Sequence, residues 1–132
     1  MAITNYYVDP GGGDDATGDG SIGTPWKTTQ YALDHIVRNS TNGDQVNIKA
    51  GAADVLAASL SLATYGAPTY DAPLRFRGYT NIANDGGYGD IHGNDGGFPC
   101  FTGDHIHLRD LYAHNVADAL PIKLGSFCSV VR

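Results

Sequence analysis

Short segments in which apolar and polar residues alternate, separated by Gly, Asn and Asp, recur along most of this chain and constrain its fold most strongly. Residues 45–51 alternate around Val46 and Ile48, and residues 73–80 alternate around Leu74 and Phe76. A period of two is typical of strands with one buried face. The chain has eighteen glycines, and its fourteen acidic residues are all Asp, which favours turns over helices. The sequence predicts a single all-β domain over residues 1–132.

One segment departs from the alternation and predicts a helix. Apolar residues recur at spacings of three and four from Trp26 to Val37, and Thr24 and Pro25 are suited to the cap and the first helical position. We therefore predict an entry strand and an acidic glycine-rich loop over 5–23, and a capping α-helix over 24–38. The residues expected to form this structural cap are Thr24, Pro25, Trp26, Leu33 and Ile36.

Apolar residues also recur at longer intervals. Steps of fourteen residues separate Val46, Leu60 and Leu74, and the pattern Leu108-x-x-Leu111 returns twenty residues later as Cys128-x-x-Val131. A loose period of this size indicates stacked parallel coils. The first coil of such a stack needs a cover for its open end, and the helix before it is placed to supply that cover.

The first third of the chain resembles a known entry sequence. The stretches YYVDP, GDGSIGTPWKTTQYALDHI and GDQVNIKAG are similar to the N-terminal region of the pectate-lyase-like superfamily, over residues 5–51. The resemblance implies a right-handed parallel β-helix, a short solenoid with an N-terminal capping α-helix and coils over 45–132. Because the apolar pattern is still running at Arg132, we expect either further coils in a longer protein or a partner chain that covers this end.

The glycines at 18, 20 and 23 spell G-x-G-x-x-G, yet a dinucleotide site is not expected there. That fingerprint requires a strand that ends at the first glycine, whereas about ten loop residues intervene here, and nearby carboxylates would repel a pyrophosphate. The same carboxylates could bind Ca²⁺, which takes oxygen ligands from flexible loops, or could belong to a solvated turn. The candidate calcium ligands are Asp9, Asp14, Asp15 and Asp19; no other cofactor is expected.

Other polar groups are predicted to be solvated. The stretch NDGGYGDIHGNDGG, with Asp85, Asp90 and Asp95, nearly spells a calcium-binding repeat but occurs once, so we predict a loop between coils. No signature of a lyase or hydrolase is present, so no residue is assigned as catalytic and the chain is not expected to be an enzyme by itself. The side chains predicted to point outward are those of His92, His105, His107, His114, Arg75, Arg77, Arg109 and Asp110.

The tyrosines and the cysteines each allow two structural interpretations. Tyrosines in the turn-rich stretches could stack on sugar rings or could plug the ends of coils. The candidate glycan contacts are Tyr65, Tyr70, Tyr79 and Tyr88. Cys100 and Cys128 lie in apolar segments without metal-ligand spacing, which favours buried thiols over a disulfide.

Charge and hydropathy argue against two classes of partner, nucleic acids and membranes. The formal net charge is −6 with eight basic residues and no basic run, which argues against nucleic acid. No apolar run approaches the roughly 18 residues that span a bilayer, and no export signal precedes the first strand, so no membrane partner is expected.

These observations and the resemblance lead to two expected functions. The first is a structural protein of a phage virion, such as a tailspike, fibre or capsid-surface component, which is homotrimeric or bound to other virion proteins and contacts a polysaccharide. Virion proteins leave the cell by lysis and need no signal. The alternative is the N-terminal part of an extracellular polysaccharide lyase or glycoside hydrolase, and a sugar-binding module comes third.

Overall fold

The part of the chain that the structure describes forms three parallel β-sheets and one short helix. The computed structural model describes residues 2–116, 122–125 and 128–131. The sheets have the strand orders β1-β2-β4-β7-β10, β3-β5-β8 and β6-β9, and every pairing described is parallel. The elements in chain order are β1 (Thr4–Val8), α1 (Thr29–His35), β2 (Asp44–Lys49), β3 (Ala53–Val55), β4 (Leu74–Tyr79), β5 (Gly89–Gly96), β6 (Phe101–Gly103), β7 (Ile106–Arg109), β8 (Leu111–Val116), β9 (Ile122–Leu124) and β10 (Ser129–Val131).

The core lies against the inner face of the five-stranded sheet. Register pairs Val46 with Phe76 and Phe76 with Leu108, so one apolar row crosses the sheet. The Phe76 ring packs against Phe101 of the two-stranded sheet, with 5.0 Å between ring centroids. Ile91 contributes from the three-stranded sheet. Since alternation places the polar side chains of these strands on the opposite face, the same pattern also builds the outer surface.

The predicted right-handed parallel β-helix is wrong. The described residues form parallel strands in three sheets of unequal size with one short helix, and they show no solenoid of repeated coils. The repeat at fourteen-residue intervals does not correspond to stacked strands. Leu60 is buried but lies outside any strand, and residues 56–73 form no strand. Leu74 pairs with Asp44 rather than Val46. Alternation predicts individual strands, whereas the assignment of a strand to a sheet depends on the connections between them.

The helix is shorter than predicted, because its first predicted turn is held in another conformation. Trp26 bridges Val8 as an extended residue, and Asp15 accepts hydrogen bonds from the backbone amides of Lys27 and Thr28. The N-cap is therefore Thr28, whose hydroxyl accepts from the Tyr31 amide, and not Thr24. Of the predicted cap residues, Leu33 is buried within the helix, Ile36 is its C-cap, and Thr24, Pro25 and Trp26 precede it.

Local predictions for three strands and for the Cys100 thiol are confirmed. Strands occur near residues 45–51 and 73–80, as the alternation predicts, and Thr4–Val8 is the predicted entry strand. Cys100 is a buried thiol, and no disulfide joins it to the half-buried Cys128. Among the residues described, no helix has the length and apolar character needed to cross a membrane.

Candidate functional site

The outer face of the five-stranded sheet carries two rows of side chains that are mostly polar. Each row crosses neighbouring strands, because parallel register places outward residues side by side. Arg75 lies next to His107, and Arg77 lies next to Arg109. The first row is Gln45, Arg75, His107 and Ser129, and the second is Asn47, Arg77, Arg109 and Val131.

The second row sets two guanidinium groups opposite each other with a single carboxylate between them. Asp110 Oδ2 lies 3.3 Å from Arg77 Nε and 3.7 Å from Arg109 Nε. Asp110 forms the corner between β7 and β8 with a φ of 53°, a left-handed conformation that Asp tolerates. Like charges directly opposite on adjacent strands are destabilising. One aspartate therefore offsets part of the repulsion between two arginines.

Arg75 extends this positive charge, and among the described residues no carboxylate forms an ion pair with it. Its Nη1 atom is buried and makes no hydrogen bond with the described residues. A buried donor without an acceptor costs about 1–3 kcal/mol. Three arginines and one aspartate leave a local charge of +2 in a chain whose net charge is −6. The face is thus locally complementary to an anion.

These groups border a cleft of about 440 Å³. Its lining includes Arg75, Arg77, Asn84, His107, Arg109 and Ser129. We call this site, with Asp110 at its margin, the basic cleft.

His107 is held in the basic cleft by Ser129. Its Nδ1 atom lies 2.6 Å from Ser129 Oγ. Burial lowers the pKa of His107, and the charges of Arg75 and His105 lower it further. The imidazole is consequently neutral near pH 7 and able both to donate and to accept hydrogen bonds.

A buried amide network supports one side of the cleft. Gln45 Nε2 donates to Asn47 Oδ1 at 2.7 Å and to Asn84 Oδ1 at 3.0 Å. Asn47 Nδ2 donates to Asn5 Oδ1 and to the Tyr6 carbonyl. Gln45 and Asn47 point outward yet are buried, so these amides are fixed by one another rather than by solvent.

The four candidate calcium ligands are each bound to backbone groups near them in the fold. Asp9 accepts from the amides of residues 11 and 12, Asp14 from those of 16 and 17, and Asp15 from those of 27 and 28. Asp19 accepts from the Ser21 amide and from the hydroxyl of Thr24, and these bonds lower its pKa to about 2. Within the part of the chain that the structure describes, no three His, Cys or Asp side chains form a metal-ligand group. Calcium binding at these residues stays a prediction.

The tyrosines predicted to contact glycans separate into two pairs. Tyr65 and Tyr79 are buried, and the Tyr65 hydroxyl donates to Asp44 Oδ2 at 2.7 Å, so neither presents a ring face at the surface. Burial raises the pKa of both phenols, that of Tyr79 to about 12. Tyr70 and Tyr88 are exposed. Of the four predicted glycan contacts, only Tyr70 and Tyr88 therefore lie where a sugar could reach them.

The sequence predicted a loop over the acidic stretch from Asn84 to Gly97, but the structure forms part of this stretch as a strand. Asp85 does close a loop: its carboxylate accepts from the amides of residues 80, 81, 82 and 87, and these bonds lower its pKa. However, Asp90 and Asp95 lie on strand β5. The histidines predicted to be exposed are half-buried, and His105 precedes β7 with a φ of 55° instead of alternating with His107 along it.

The residues that sequence reasoning missed are Ser129, Asn84 and the exposed Tyr112. Tyr112 alternates with Leu111 and Ala113, a signal that could have identified it as outward-facing. The meeting of Ser129 with His107 had no such signal, because it depends on strand register across 22 residues.

Scans of protein-family models, of curated proteins and of solved structures gave no match to this chain. The resemblance to the pectate-lyase-like superfamily stays a prediction.

Proposed function

We propose that this protein binds an acidic polysaccharide through the basic cleft. The observation that carries the proposal is the excess of positive charge at this cleft: Arg75, Arg77 and Arg109 line it, and among the described residues one carboxylate, that of Asp110, contacts two of them. Arginine binds planar carboxylates through paired hydrogen bonds. A uronate carboxylate on a sugar chain would offset the remaining positive charge and accept hydrogen bonds from the arginines that line the cleft.

The uncharged polar groups of the basic cleft are suited to bind the hydroxyl groups of a sugar. His107 and the Asn84 side chain line the cleft beside the arginines and can hydrogen-bond sugar hydroxyls. A small number of placed polar groups around one charged anchor is typical of ligand sites. Such binding fits a virion protein that attaches to a glycan, and equally the first part of an enzyme that acts on one; both settings stay predictions.

Substitution of Arg75 by glutamine is expected to weaken binding of an oligosaccharide of uronic acids about tenfold or more, because a hydrogen bond to a charged group is worth about 1.5–3 kcal/mol. Isothermal titration calorimetry at low ionic strength measures the change, and added salt should weaken binding to the unsubstituted protein. Lys27→Gln is the matched control, since it removes the same charge from an exposed site outside the basic cleft.

Three results would contradict the acidic-polysaccharide proposal. One is equal loss of affinity in both variants, and another is equal binding of a neutral oligosaccharide of the same length. The third is tighter binding of a single-stranded oligonucleotide than of the uronate, which would indicate a phosphate-backbone partner.

Acidic pH is expected to strengthen uronate binding through His107. Because its pKa lies below the ordinary histidine value, His107 is neutral at pH 7 and gains its proton only as the pH falls below that value. The added charge then faces the anion beside Arg75, while uronate carboxylates stay ionised. Affinity measured from pH 7.5 to 5 should rise in the unsubstituted protein and stay flatter in His107→Gln. A parallel rise in both proteins would rule out His107 as the cause.

A further inference from the structure

A second surface, on the three-stranded sheet, combines exposed aromatic rings with a carboxylate. Tyr112 on β8 is 60% exposed and Tyr88, just before β5, is 42% exposed. Both border a cleft of about 360 Å³ with Asp90. The other lining residues are small: Gly51, Ala52, Ala53 and Gly89. A ligand in this cleft can therefore approach the backbone closely beside the two tyrosines.

One face of the Tyr112 ring is held in place by a stacking contact. It stacks on the His114 imidazole, with 4.3 Å between centroids and 17° between planes. His114 is fixed in turn by Asp90, at 2.6 Å from Nε2 to Oδ1, and by Asn115, at 2.7 Å from Nδ1 to Oδ1. A ring held in this way loses little conformational entropy when a ligand covers its outer face.

Asp90 supplies the polar recognition group. One of its oxygens accepts from His114, and the other accepts no hydrogen bond from the described residues. A carboxylate oxygen with free lone pairs accepts from hydroxyl groups and disfavours an anionic ligand.

We propose that Tyr88, Tyr112 and Asp90 form a binding site for an uncharged pyranose ring. Tyrosine offers an apolar face to the C–H groups of the sugar, and Asp90 accepts hydrogen bonds from its hydroxyls. The site differs from the basic cleft in its sheet, its charge and its ligand. It does not depend on acidic-polysaccharide binding.

Substitution of Tyr112 by alanine is expected to weaken binding of a neutral hexasaccharide about tenfold. The probes are maltohexaose, cellohexaose and chitohexaose, each titrated by calorimetry and by the tyrosine ring signals in ¹H–¹³C NMR spectra. Tyr112→Phe keeps the ring and should bind nearly as well. Tyr70→Ala removes an exposed tyrosine outside the cleft and should bind unchanged, as should Arg75→Gln.

The pyranose proposal is overturned if none of the three hexasaccharides binds at millimolar concentration. It is also overturned if Tyr112→Ala and Tyr70→Ala lose affinity equally. Loss of neutral-sugar binding in Arg75→Gln would place that binding in the basic cleft instead, whereas failure of uronate binding alone leaves this site intact.

Discussion

Replacement of Phe76 by alanine is expected to lower the free energy of unfolding by about 3–5 kcal/mol. Phe76 is 1% exposed and lies on β4, the middle strand of the five-stranded sheet. Its ring packs against Phe101 and so joins this sheet to the two-stranded sheet. Removal of the ring would leave a cavity where two sheets meet, because strand backbones collapse only partly around such a loss.

Urea denaturation followed by far-ultraviolet circular dichroism measures this change as a lower midpoint with an unchanged slope. Phe76→Leu should lose less, since it refills part of the volume. Val37→Ala should change stability by no more than about 0.5 kcal/mol, because Val37 is 83% exposed. A Phe76→Ala protein as stable as Val37→Ala would contradict the assignment of Phe76 to the centre of the core.

Period-two alternation explains why the strands could be predicted. At Leu74 and Phe76, alternate burial follows from the backbone geometry of a strand and needs no knowledge of its neighbours. The β-helix could not be inferred from the same pattern. Leu60 is buried with no strand around it, which shows that an apolar residue at the expected interval can reach the core from an irregular segment.

The basic cleft could be predicted only in part. Alternation correctly places Arg75 and Arg77 on the outer face. Their position beside His107 and Arg109 depends on register between strands about thirty residues apart, and no local signal encodes it. Charged residues that are separately solvated and charged residues that meet at one cleft give the same sequence pattern. They differ in the structure, where three arginines line one cleft and a single carboxylate of the described residues contacts two of them.

The helix start shows how tertiary contacts override a local signal. Thr24 followed by Pro25 is a common beginning of a helix. Here the carboxylate of Asp15 binds the amides of residues 27 and 28, and the strand-like bridge from Val8 holds Trp26 extended. The helix consequently begins after these contacts, at Thr29.

The glycines that spell G-x-G-x-x-G are expected to differ sharply in their tolerance of alanine. Gly20 has a φ of 80°, and a Cβ there would lie 2.7 Å from the Cη2 and Cζ3 atoms of Trp26. A left-handed backbone costs an alanine about 1–2 kcal/mol, and overpacking adds about 1–3 kcal/mol. Gly20→Ala should therefore destabilise the protein by about 2–5 kcal/mol.

Gly18 and Gly23 supply the matched comparisons. A Cβ at Gly18 would meet the carbonyl oxygens of Asp14 and Pro25 at 2.4 and 2.6 Å, and the Gly18 carbonyl accepts from Trp26 Nε1, so this substitution should also destabilise. A Cβ at Gly23 would meet no atom within 4 Å, and Gly23→Ala should stay within about 0.5 kcal/mol of the unsubstituted protein.

Trp26 fluorescence separates a local clash from a general loss of stability. The indole is 6% exposed and stacks against Tyr6, with 5.8 Å between ring centroids. In folded Gly20→Ala, a displaced indole should emit at longer wavelength, while Gly23→Ala should keep the original spectrum. Equal stability and equal spectra for the two variants would contradict the close packing of Gly20 on Trp26. With that packing, the motif supports the indole ring, because a side chain at its second glycine would overlap the ring of Trp26.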